Sequence, residues 1–251
     1  MEFDVLTLSI LILVVPASFV LSAAAGLGGS LILVPALVMA LGAKEGVALA
    51  ALLLAANNVA KVVVYRKTLP LAQAALIAVA VMVGAALGAG LMVQAPEHWV
   101  TIGVLIALIA TFAGDFVVRR GVSKDASIQA PARKAWAGLL AFTSGATSGF
   151  SGTSGPLKGV ALRSLSLDRQ YLVGAASLVS LVGDMTKAAV FTQSGLLGQS
   201  HLMLAAVLVP VMALCTLAGR SLNQQVGEKG FAILFWTVMA GYGVRLVTAY
   251  W

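Results

Sequence analysis

The side chains best placed to do chemistry are a few charged and amide groups inside long apolar runs. Asp184 and Lys187 stand three residues apart, a spacing that puts both on one face of a helix. Lys61 lies in a second apolar run, with Asn57 and Asn58 about one turn before it. The patches Asn57-Asn58-Val59-Ala60-Lys61 and Gly183-Asp184-Met185-Thr186-Lys187 line up with one another. Ionisable groups at membrane depth are costly, so they mark functional positions. The chemistry on offer is recognition of an anion. Lys61 and Lys187 supply positive charge, and the two Asn amides supply neutral donors. Asp184 either neutralises Lys187 or carries a coupling proton.

A second set of donors lies in two Gly-Ser interruptions. Ser144 to Leu157 reads SGATSGFSGTSGPL, and Ala25 to Ser30 reads AGLGGS, with Pro35 following. The first stretch cannot hold one continuous helix, because Gly is costly in a helix interior and Pro removes a donor. Backbone freed from a helix at membrane depth must line a cavity or be buried in protein. Helices starting at Gly28-Gly29-Ser30 and at Gly152-Thr153-Ser154 would aim unpaired N–H groups inward, a setting suited to an anion. Ser30, Ser151, Thr153 and Ser154 add hydroxyl donors, whereas Ser144 and Thr147 read as packing residues. Lys158 follows one turn later, close to this site. Gly149-Phe150-Ser151-Gly152 also matches the G-x-S-G of rhomboid intramembrane serine proteases. That chemistry needs a histidine at membrane depth, and His98 and His201 both fall in expected outer loops.

The elements that hold these residues follow from composition. The 251 residues are 60% hydrophobic and 10% charged, with mean hydropathy +1.01. A soluble domain carries roughly a quarter charged residues. The expected class is therefore an all-α polytopic membrane protein. The net charge of +7 is assigned to cytoplasmic loops rather than to nucleic-acid binding. The single Cys215 excludes an intrachain disulfide, and nothing calls for a cofactor or a metal. The start, Met1-Glu2-Phe3-Asp4, lacks a basic region and reads as an outside N-terminus rather than a cleaved signal.

Ten apolar segments are expected, at about 4–25, 30–42, 45–65, 71–93, 98–118, 134–148, 154–166, 170–192, 200–221 and 230–250. Segments two and seven are too short to cross a core of ~30 Å. With alternating segments, eleven Lys and Arg fall in cytoplasmic connections and Lys44 alone falls outside. This bias places the N-terminus on the outer face and the basic connections in the cytoplasm. The layout is two inverted five-segment repeats, 1–118 and 134–251, joined by a cytoplasmic linker at 119–133. Interrupted helices in corresponding halves point to a transporter's binding site. The small-residue run Gly84–Gly90 suits close packing within the chain or in a homodimer.

The GLGGS…P of the first half, the SGATSGFSGTSGP of the second, and the N-N-x-x-K and D-x-x-K patches resemble the TauE/SafE family of bacterial membrane transporters. The resemblance runs from about Val20 to the C-terminus. It implies transport of sulfite, sulfoacetate or other organosulfur anions across the bacterial inner membrane, which makes the outer face of the N-terminus periplasmic. With the residue reading, it predicts a secondary transporter of small sulfur oxyanions or sulfonates, proton- or ion-coupled. A passive anion channel and, less favoured, an intramembrane serine protease are the alternatives.

Overall fold

The computed structural model describes residues 15–19, 30–119, 130–154 and 157–215. Every regular element among them is helical. A helical stretch over 15–19 precedes α1 (Ser30–Leu41), α2 (Ala43–Val64) and a 3-10 turn over Arg66–Thr68. Then come α3 (Leu71–Gln94), α4 (Glu97–Arg119), α5 (Ala130–Ser151), α6 (Leu157–Arg163), α7 (Arg169–Gln193) and α8 (Gln199–Cys215). The expected first and tenth segments, Gly28, Gly29 and most of the linker lie outside the described residues.

Three helices, α2, α3 and most of α7, are long and apolar enough to cross a membrane. The 22 residues of α2 reach ~33 Å at ~1.5 Å per residue. By contrast α1 has 12 residues and α6 has seven, and neither spans. All of Leu31–Val38 is buried, so α1 is enclosed by protein on every side. Outer faces elsewhere are apolar and open: Leu91, Val207 and Leu214 are each more than 60% exposed. Lipid, not water, suits such faces.

The Gly-Ser stretch is interrupted later than its composition suggests. The helix of segment six, expected to end near 148, runs on to Ser151, and the next begins at Leu157 rather than Ser154. Gly145 and Gly149 therefore sit inside α5. They face Gly84 and Gly88 of α3 in two opposed G-x-x-x-G pairs. A Cβ on Gly84 would strike the Phe142 carbonyl, and one on Gly145 the Val81 carbonyl. Gly88 meets the Ala146 carbonyl and Gly149 that of Ala85 in the same way. Small residues let the backbones touch, and van der Waals packing then holds helices that hydrophobicity cannot drive together in lipid. The run on α3 is thus used within the chain.

Between α1 and α2 the chain turns at Gly42, whose φ of +91° lies in the region that favours glycine. The Ala43 N–H donates to Glu97 Oε1 at 2.8 Å, and Lys44 Nζ donates to the Val93 carbonyl at 2.8 Å. One side chain thus caps the start of α2 and the other the end of α3, satisfying groups a helix leaves unpaired.

Candidate functional site

α2 and α7 pack against one another and bring the two polar patches into contact. Asn58 Nδ2 donates to Asp184 Oδ2 at 2.7 Å. The other carboxylate oxygen, Oδ1, lies 2.6 Å from Lys187 Nζ. Lys187 Nζ also donates to Ser148 Oγ at 2.9 Å, one turn before the end of α5. A continuous polar bridge, Asn58–Asp184–Lys187–Ser148, therefore links three helices. Asp184 is 8% exposed and Lys187 0%. Lys187 is sealed inside although it lies six residues before the end of α7. Its aliphatic stem packs among helices, and its ammonium is held by a carboxylate and a hydroxyl. A buried charge is tolerated when paired and hydrogen-bonded in this way.

Two further lysines lie within the field of the same carboxylate. Lys158 on α6 donates to Ser180 Oγ at 2.9 Å and lies within the fields of Asp184, Lys187 and Lys61. Lys61 on α2 is half-buried and also interacts electrostatically with Asp184. Among the described residues neither has a carboxylate within ion-pair distance. With all four groups ionised, three ammonium groups share one carboxylate. The excess positive charge is the chief electrostatic property of the site. Ser180, Asp184 and Lys187 form one stripe on α7 at helical spacing. The sequence reading missed Ser180 and Ser148. The stripe spacing was available for Ser180, whereas nothing distinguished Ser148 within a Gly-Ser run.

The break after α5 lies beside this cluster. Gly152 has φ +77°, and its N–H still donates to the Ser148 carbonyl at 2.9 Å. A Cβ there would approach Val34 of α1 to 3.0 Å and Val47 of α2 to 3.4 Å. The break thus rests on the body of α1, one turn past Ser30, which begins that helix half-buried. Ser144 Oγ donates to the Ser154 carbonyl at 3.1 Å, so Ser144 closes the break. Thr153 is 1% exposed, and its Oγ1 has no hydrogen-bond partner among the described residues. Such an orphan costs about 1–3 kcal/mol. Asn57 is buried beside Asn58.

Ser151 Oγ donates to the Thr147 carbonyl at 2.7 Å, not to a base. His201 is engaged elsewhere. Its Nδ1 accepts from the Gly198 N–H at 3.3 Å, and its Nε2 lies 3.5 Å from Glu45 Oε2. The Ser–His geometry of an intramembrane protease does not occur at Ser151. Among the described residues no group of His, Cys, Asp or Glu is arranged to hold a metal.

Apolar helices enclosing a charged and hydroxylated interior define a membrane-integral protein with a polar site between its helices. The chain belongs to the sulfite exporter TauE/SafE family, whose model matches residues 10–246, and it is accordingly a membrane transporter. No curated protein and no solved structure matches it.

Proposed function

We propose that the chain is a secondary transporter carrying small sulfur oxyanions or organosulfonates, such as sulfite, sulfoacetate or an alkyl or aryl sulfonate, across the bacterial inner membrane. The observation that carries this reading is the cluster in which Lys61, Lys158 and Lys187 all lie in the field of Asp184 and, among the described residues, have no other carboxylate within ion-pair distance. An anion offsets the surplus charge there. The free hydroxyl of Thr153 and the amide of Asn57 are the neutral donors for its oxygens, with the Gly152–Ser154 backbone and Ser151 forming the wall. Ser30, at the start of α1, is the first-half donor.

Asp184 is the coupling group. While ionised it holds Lys187 and Asn58. Once protonated it releases Lys187, and the cluster then favours an anion more strongly. Proton and anion occupancy are thereby linked, each raising the affinity for the other. Two inverted repeats, 1–118 and 134–251, supply the two conformations required. Their support is that Asn58 and Asp184 hold corresponding places in the two patches and touch one another, as corresponding residues do beside a twofold axis.

The test is sulfite flux in proteoliposomes, with and without a pH gradient. Saturable flux driven by the gradient, with Asp184→Asn losing the drive, supports coupled transport. Linear flux indifferent to the gradient would favour a passive anion channel and sink the coupled reading.

A further inference from the structure

We infer that the turn joining α2 to α3 is a binding site for the headgroup of an anionic phospholipid. A cavity of about 590 Å³ opens at this turn, lined by residues 63–68 and by Gln170 of α7. Arg66 and Lys67 are exposed and have no carboxylate partner among the described residues. The cavity is built before any ligand arrives. Thr68 donates to the Tyr65 carbonyl twice, from its N–H at 2.8 Å and its Oγ1 at 3.1 Å. α7 packs directly on the turn, since a Cβ on Gly174 would strike the Thr68 carbonyl.

The surroundings favour a lipid over a soluble anion. Val59, Ala60, Val63 and Val64 are all exposed and form one apolar face of α2. That face belongs to a helix long enough to span a membrane. The cations begin where it ends, and Tyr171 of α7 lies exposed near the same end. An acyl chain along the valine face brings its headgroup phosphate to Arg66 and Lys67. Basic cavities between helices at the cytoplasmic side recognise anionic headgroups by this combination, and the charge bias assigns this turn to that side. The cavity lining includes none of Asn58, Lys61, Asp184 and Lys187, and the inference stands independently of which anion is transported.

Thermal unfolding of the purified full chain, titrated with dioctanoyl-phosphatidylglycerol, tests this. Dioctanoyl-phosphatidylcholine and inorganic phosphate are the comparison ligands. Stabilisation by the phosphatidylglycerol alone is expected. R66Q/K67Q weakens it roughly thirty-fold, from two lost charges, while R163Q, at another exposed basic site, leaves it unchanged. Both variants unfold at the wild-type temperature without lipid, because the altered side chains are exposed. Equal stabilisation by inorganic phosphate would make this a soluble-anion site and overturn the lipid assignment. Equal stabilisation by phosphatidylcholine, or equal weakening by R163Q, would overturn it as well.

Discussion

Asn58 and Asp184 lie 126 residues apart in the chain and meet in a buried hydrogen bond of 2.7 Å. Asp184 is thereby shared between an amide from α2 and Lys187 of its own helix, and the carboxylate has no room to turn away. We predict that Asp184→Ala lowers stability by about 3–5 kcal/mol, because it strands a fully buried ammonium. Asp184→Ala combined with Lys187→Met recovers most of the loss. Thermal unfolding of the three proteins decides the matter, and a double variant as unstable as the single one would refute the pairing argument.

Among the described residues Lys158 and Lys61 have no carboxylate of their own, so their removal tests the surplus charge. Lys158→Met is expected to leave the unfolding temperature unchanged or raised, while sulfite affinity falls roughly tenfold or more. Lys61→Gln behaves similarly. Calorimetric titration with sulfite reads the affinity. Wild-type affinity in both variants would place the anion elsewhere.

Thr153 separates function from stability in another way. Thr153→Val keeps the shape and removes an orphan hydroxyl, so the protein becomes more stable by about 1 kcal/mol. Its maximal sulfite flux falls. If flux is unaffected, the hydroxyl does not face the transported ion. Ser151→Ala, which removes bonds to the Thr147 and Thr153 carbonyls at 2.7 and 3.5 Å, lowers flux less than Thr153→Val does.

The α3–α5 contact depends on backbone proximity. Gly84→Val or Gly145→Val forces the helices apart and costs about 1–3 kcal/mol, measurable as a lower unfolding temperature. Gly90→Ala is the matched control, because its Cβ would meet open space. Equal losses at Gly84 and Gly90 would refute the crossing as the cause, since helix propensity alone favours Ala over Gly.

Glu97 caps α2 across 54 residues. Glu97→Ala is expected to cost about 1 kcal/mol, while Glu97→Gln, which keeps an acceptor oxygen, costs less. Equal losses in the two variants would show that charge rather than the hydrogen bond matters.

Much of the fold was legible because apolar runs and their lengths translate directly into helices. The expected segments 45–65, 71–93 and 170–192 match α2, α3 and α7 to within two residues. The end of α5 was misread for a physical reason. Glycine weakens an isolated helix, but in Gly145 and Gly149 that cost is offset by contact with Gly84 and Gly88, which no local pattern announces. Asp184 and Lys187 were visible as a pair from their spacing. That Lys187 also reaches Ser148 was not visible, since the residue lies on another helix.

By itself the sequence determined the solvent. A chain this apolar can satisfy its backbone in lipid only through helices or a closed barrel, and the lengths of its runs select helices. It also determined which residues are too costly to be there without purpose: Lys61, Asp184 and Lys187. Only the tertiary structure decided how those charges are shared. Pairing between helices depends on their rotation and on how closely they approach. Those are set by the glycine contacts of α3 with α5 and by the packing of α2 on α7, not by any one stretch of chain. Hence Lys187 is neutralised, while Lys61 and Lys158 have no carboxylate of their own among the described residues.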